Sequence, residues 1–234
     1  MRGTCLAIAL AVASPPGRVV FIGNSLTYTN DLPGMVSALV DSSRAGPLEI
    51  HSVTAANFSL GDHLESGVAA QQIARYDAPL IVLQQGPSSL DESRVDLIAS
   101  TLRFDTLARQ RHGRTALYGV WPDRSRLAFF DQVSEAYRLA AERVGGVYLP
   151  AGEAWRAAWR RDSTLALYGP DDFHPSVLGT YVAALVIYQR LTGRSPVGLP
   201  GRLRSKAGVM VDIPRRVARL LQQAAAETNA RFPS

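Results

Sequence analysis

The chain has 234 residues, 47% of them hydrophobic, and a formal net charge of +5, which suits one globular domain with a sizeable buried core. Its basic charge is nearly all arginine, with Lys206 the only lysine, and it is spread along the chain with the densest groups at Arg160-Arg161 and Arg202 to Arg216. No basic stripe interleaved with aromatics emerges, which argues against a nucleic-acid partner.

At the N-terminus, Arg2 precedes an apolar run from Cys5 to Ala13. Small residues before Ser14 give residues 1–13 the pattern of a secretory signal cleaved near Ala13/Ser14. That predicts a secreted or periplasmic protein, or a cytoplasmic one if the segment is not a signal. The run is too short for a bilayer, which needs about 20 residues, and no other stretch is expected to span a membrane. Cys5 falls inside the segment, so the processed chain would carry neither a disulfide nor a thiol nucleophile.

Strands are predicted over 18–22, 48–55, 80–84, 115–120 and 146–149, all short, β-branched-rich and nearly continuous in apolar character. Such runs suit strands covered on both faces. Between them, Leu32, Met35, Val36, Leu39 and Val40 recur at helical spacing behind Asn30 or Asp31 as cap and Pro33 in the first turn. Val133, Ala136, Tyr137, Ala140, Ala141 and Val144 do the same behind Asp131. Weaker helical patterns cover 64–76 and 93–110, and two more helices are expected near 176–191 and 213–229. The Gly/Pro/Arg-rich stretch from Gly193 to Gly208 reads as a long surface loop. Strand–helix alternation of this kind predicts a single α/β domain over 18–230: a three-layer α/β/α, flavodoxin-like doubly wound sheet of about five parallel strands.

In open parallel sheets, ligands bind beyond the carboxyl ends of the strands. Gly23-Asn24-Ser25 follows the first strand, and Ser25 stands at the head of a helical pattern. A serine hydroxyl needs a base, normally a histidine held by a third group. His51 lies within a strand run, His112 at a helix end and His63 beside Asp62 on a helix, where packing or capping roles are expected. A metal site built on Asp62, His63 and His51 lacks further clustered ligands, and no cofactor is implied. His174 differs, because it sits in the turn-rich loop Tyr168-Gly-Pro-Asp-Asp-Phe-His-Pro175. Pro175 holds it extended at the start of a helix. Asp171, three residues earlier, can curl back to the imidazole, whereas adjacent Asp172 would point away.

Gly-x-Ser after the first strand, with Asp-x-x-His-Pro before a late helix, resembles the SGNH (GDSL-like) hydrolases. The resemblance runs from about Arg18 to Arg190, and Gly23-Asn24-Ser25-Leu26-Thr27 is similar to the family's first block, with Asn24 where many members have aspartate. It implies Ser25 as nucleophile, His174 as base, Asp171 as orienting acid and the Ser25 amide as an oxyanion donor. The family's second block supplies a glycine amide; here the matching stretch is 56–61, with Asn57 the best position and Gly61 the alternative. Asparagine tolerates the left-handed φ such a turn can require. The third block, Gly-x-Asn-Asp in the family, is here Leu83-Gln84-Gln85-Gly86-Pro87-Ser88-Ser89. Gly86 matches, Ser88 stands at the asparagine position, and Gln84 or Gln85 could supply a side-chain amide instead. Substrate contacts are expected from Asn24, Phe58, Gly86, Trp121 and Phe173, with Tyr168 a further aromatic candidate. Trp121 can equally be a core cover.

The function these residues predict is a serine esterase for small acyl or acetyl esters, including carbohydrate O-acetyl esters. The alternative is a non-catalytic or weakly active module holding a glycan or acylated ligand. A nucleotide-binding reading fails because the first loop has no Gly-x-Gly-x-x-Gly or Gly-Lys-Ser/Thr pattern.

Overall fold

A computed structural model describes residues 17–233; the expected signal segment, residues 1–13 with Cys5, lies outside them. In chain order the elements are β1 (Arg18–Gly23), α1 (Ser25–Tyr28), α2 (Leu32–Ser43), β2 (Glu49–Thr54), α3 (Leu60–Ser66), α4 (Val68–Ala74), β3 (Leu80–Leu83), α5 (Asp91–Arg109), β4 (Arg114–Tyr118), α6 (Phe130–Arg143), β5 (Val147–Leu149), α7 (Ala151–Arg161), α8 (Val177–Thr192), β6 (Arg202–Arg204), β7 (Met210–Asp212) and α9 (Arg215–Arg231). Short 3₁₀ turns cover Thr29–Asp31 and Arg124–Phe129.

Strands β1 to β5 form one parallel sheet in the order β2-β1-β3-β4-β5, the flavodoxin-like doubly wound arrangement the alternation predicts. Val19, Val20, Phe21 and Ile22 are wholly buried, as a central strand covered on both faces must be. Helices α2, α7, α8 and α9 pack together in one layer, and α3 to α6 in another. The apolar run Tyr181 to Tyr188 is buried all round α8. Among the described residues, no helix is long and apolar enough to cross a membrane.

Three local readings change. The helix expected over 64–76 is two helices, broken where Gly67 takes φ +70°, a conformation glycine adopts without steric cost. Helix α7 is absent from the sequence reading because its buried residues are mostly small, Ala151, Gly152, Ala154, Ala157 and Ala158 beside Trp155 and Glu153. Such a face lacks the large aliphatic spacing that marks the other helices. The stretch read as a loop contains β6, which pairs antiparallel with β7 just beyond its end. Three-residue strands with outward arginines are too short for a period of two to show.

Strand order reverses at β1: the chain steps to β2 on one side, then to β3 on the other. The segments leaving β1 and β3 therefore flank one crevice, the usual ligand position in such sheets. They are Gly23-Asn24-Ser25 and Gln84-Gln85-Gly86.

Candidate active site

Asn24 caps α1: its side-chain Oδ1 accepts from the Leu26 amide at 3.1 Å, and its carbonyl accepts from the Thr27 amide at 2.9 Å. This tight turn leaves Ser25 half-buried at the first helical position. The glycine before it is obligatory by close approach. A Cβ on Gly23 would lie 2.4 Å from Thr27 Oγ1 and 2.5 Å from Gln84 Oε1. From below, buried His63 places Nε2 2.8 Å from the Gly23 carbonyl oxygen. Because a carbonyl only accepts, the proton on that ring sits on Nε2.

His63 also carries a pH consequence. Its burial lowers the imidazole pKa, against the opposing pull of the Gly23 carbonyl and Asp62. The unfolded chain then binds the extra proton first, so stability is complete above about pH 6.5 and falls as acid is added below it. The expected loss is at most ~1.4 kcal/mol per pH unit. Urea midpoints at pH 7.5 and 5.5 for the wild type and His63→Gln check this: the variant should lose that slope, and an equal slope in both would refute it.

His174 lies on a hairpin closed by the Tyr168–Pro175 bridge, with the Gly169 amide donating to the His174 carbonyl at 2.7 Å. Its Nδ1 is 2.5 Å from Asp171 Oδ2. Asp171 Oδ1 accepts from the amides of Phe173 at 3.2 Å and His174 at 2.9 Å, so the carboxylate is aimed at the ring by the loop's own backbone. The His174 hydrogen bond and these amides hold its pKa down to about 2. Asp172 faces away, pairing with Arg124 at 3.3 Å.

The hairpin is bound to the Ser25 segment by Asn30, whose Nδ2 donates to Pro175 O at 2.9 Å and Thr180 Oγ1 at 3.0 Å. It is also bound to the turn after β4, where Trp121 Nε1 donates to Phe173 O at 3.1 Å and the Tyr168 hydroxyl to Pro122 O at 2.6 Å. No hydrogen bond joins Ser25 Oγ to the His174 ring in this structure. Catalytic hydrogen bonds are commonly long before substrate binds and shorten in the complex.

Asn57 has φ +62°, the left-handed conformation its side chain tolerates. No hydrogen bond within the described residues uses its amide or that of Ser25. The third-block candidates fare differently. The Gln84 carboxamide is wholly buried and turned onto residues 24 to 27. Gln85 accepts from the Leu60 amide at 3.1 Å and donates to Ser88 Oγ at 2.9 Å. Ser88 spends its own proton on Gly86 O at 3.1 Å. Gln84, Gln85 and Ser88 are therefore corrected from oxyanion donors to scaffolding, since their donor groups are already committed inside the protein.

The substrate contacts divide as well. Trp121 is fully buried, stacked 3.6 Å from Trp155, so it is a core cover that supports the His174 hairpin rather than a pocket wall. Asn24 is 7% exposed, and its side chain is spent on Leu26, Gln84 and the Phe58 carbonyl; it shapes the turn instead of meeting substrate. Phe58, Gly86 and Phe173 remain partly exposed, with Phe173 edge-on to the His174 ring at 5.1 Å. Among the other histidines, His51 pairs with Glu49 at 2.7 Å and exposed His112 with Asp77 at 2.9 Å. Among the described residues no cluster suits a metal ion. Of the two expected caps of α2, Asp31 takes the role; the side chains of Asn30 and Thr27 pair with groups far along the chain, which the sequence reading did not foresee.

No protein-family model and no curated protein matches the sequence. Solved structures do. A protein from Slackia heliotrinireducens named as an SGNH hydrolase is 24% identical, covering 76% of this chain and 98% of its own, with a TM-score of 0.63. A DUF4886 family protein from Bacteroides uniformis is 17% identical, covering 92% and 95%, with a TM-score of 0.70. An acetyl-xylooligosaccharide esterase from Geobacillus is 17% identical, covering 79% and 97%, with a TM-score of 0.58. With its parallel sheet, its serine turn after β1 and its Asp-x-x-His hairpin before α8, the chain has the fold of the SGNH (GDSL-like) hydrolases.

Proposed function

We propose that this chain is a serine esterase that hydrolyses small acyl esters, with carbohydrate O-acetyl groups as its substrate class. The observation that carries the reading is the Asp171–His174 pair, oriented by three hydrogen bonds on the rim where Ser25 heads α1. Ser25 Oγ attacks the ester carbonyl while His174 Nε2 takes its proton, and Asp171 stabilises the imidazolium that forms. The oxyanion is held by the amides of Ser25 and Asn57, both uncommitted among the described residues. His174 then protonates the departing alcohol, and water releases the acid by the same steps in reverse order. The acetyl-xylooligosaccharide esterase among the structural neighbours and the signal-like segment over 1–13 support an acetylated polysaccharide outside the cytoplasm.

A second reading, a non-catalytic ligand-binding module, draws on the commitment of Gln84, Gln85 and Ser88 elsewhere, which takes those three side chains away from the oxyanion. Hydrolysis of p-nitrophenyl acetate by the wild type and Ser25→Ala separates the two. The esterase reading requires turnover that vanishes in the variant, together with labelling of Ser25 by a fluorophosphonate. If several short acyl esters give no rate above the variant's, the binding-module reading stands instead.

A further inference from the structure

We propose that Gln84 is a positioning residue whose buried carboxamide sets the geometry of the nucleophile turn and ties it to the Asn57 loop; the role rests on the esterase reading above.

Gln84 Oε1 lies 3.0 Å from the Asn24 amide nitrogen and 2.6 Å from Thr27 Oγ1. A backbone amide can only donate, so the atom facing it is the oxygen, which fixes the orientation of the carboxamide. Its Nε2 then donates to Asn24 Oδ1 at 2.9 Å and, by a short contact, to the Gln85 carbonyl. Asn24 is oriented by the same logic, because its Oδ1 faces the Leu26 amide at 3.1 Å. That leaves Asn24 Nδ2 to donate to the Phe58 carbonyl at 3.0 Å.

Two acceptor sites and two donor hydrogens are all a carboxamide has, and Gln84 uses every one. Its partners are residues 24 and 27, on either side of Ser25. Through Asn24 the chain of bonds reaches residue 58, next to Asn57. A single pair of carboxamides therefore sets the spacing between the Ser25 amide and the Asn57 amide, the two donors to the oxyanion. The close fit extends to Gly23, whose missing side chain leaves the space Gln84 Oε1 occupies. The side chain is wholly buried and does not reach substrate.

Displacing the turn by about 1 Å can cost on the order of 10²-fold in rate. Gln84→Leu keeps the volume and removes all four bonds; Gln84→Glu keeps the two acceptor contacts and loses the donors. Thr115→Val is the control, since it removes a buried 2.8 Å hydrogen bond to Asp105 at the opposite end of the sheet. The assay is kcat and KM for p-nitrophenyl acetate, beside the thermal midpoint of each variant. Expected is a fall in kcat of about 10²-fold for Gln84→Leu, a smaller fall for Gln84→Glu, KM within about twofold, and an unchanged kcat for Thr115→Val even at a similar loss of Tm. A Gln84→Leu enzyme that keeps its kcat, or a Thr115→Val enzyme that falls as far, overturns the positioning role while the esterase reading stands. A wild type no faster than Ser25→Ala overturns the esterase reading, and this role with it.

Discussion

His174→Ala is expected to lower kcat/KM for a short acyl ester by about 10⁶-fold, with the thermal midpoint nearly unchanged. Both halves of that expectation come from geometry. The ring is one-third exposed and Asp171 half exposed, so their contact contributes little to folding. At 2.5 Å it instead fixes which ring nitrogen carries the proton. With Nδ1 donating to the carboxylate, Nε2 is left as the base for Ser25. Asp171 is held ionised above about pH 2, so its carboxylate remains an acceptor for Nδ1 down to that pH.

Asp171→Asn tests the same point more narrowly. An amide nitrogen turned to Nδ1 would favour the opposite tautomer, and about 10⁴-fold is the expected loss. Residues that act as a unit do not add, so the double variant should be no slower than His174→Ala alone. Measuring kcat/KM for all three settles it: if the two single losses multiply in the double variant, His174 and Asp171 are not acting as one device.

Trp155→Ala is expected to produce the largest loss of stability, about 3–5 kcal/mol, which lowers Tm by roughly 10–15 °C for a domain of this size. The indole is wholly buried. It stacks on Trp121, meets Tyr168 and Trp159 edge-on at 4.9 and 5.7 Å, and donates to the Gly179 carbonyl at 3.0 Å. Gly179 is a position where a Cβ would lie 2.4 Å from that ring, so α8 approaches α7 through the indole itself. Truncation would open a cavity under Trp121, whose Nε1 supports the His174 hairpin through Phe173. Activity should therefore fall below what the remaining folded fraction accounts for. Thermal melts and kcat at a temperature where the variant is fully folded check both effects. A Tm within 3 °C of the wild type would show that the aromatic stack is not what holds α7 and α8 together.

Much of the fold was legible in the chain. Fully buried parallel strands are written as short apolar runs, and helices with aliphatic faces as i, i+3, i+4 spacing, because one residue's environment repeats along each element. The Asp171–His174 contact was legible for a related reason, since an Asp-x-x-His spacing needs few residues, close together; Ser25 stood out only by its place after the first strand and by the resemblance to the SGNH hydrolases. What is written locally stops there. Helix α7 hides its face in alanine and tryptophan, and the β6–β7 hairpin is too short for any period. The duties of Gln84, Gln85, Ser88, Asn24 and Trp121 depend on groups brought from other elements by the sheet order. A polar residue at a strand end reads the same whether its hydrogens face a ligand or the neighbouring turn. Only the tertiary structure decides which, because a donor already committed inside the protein has no hydrogen left to give.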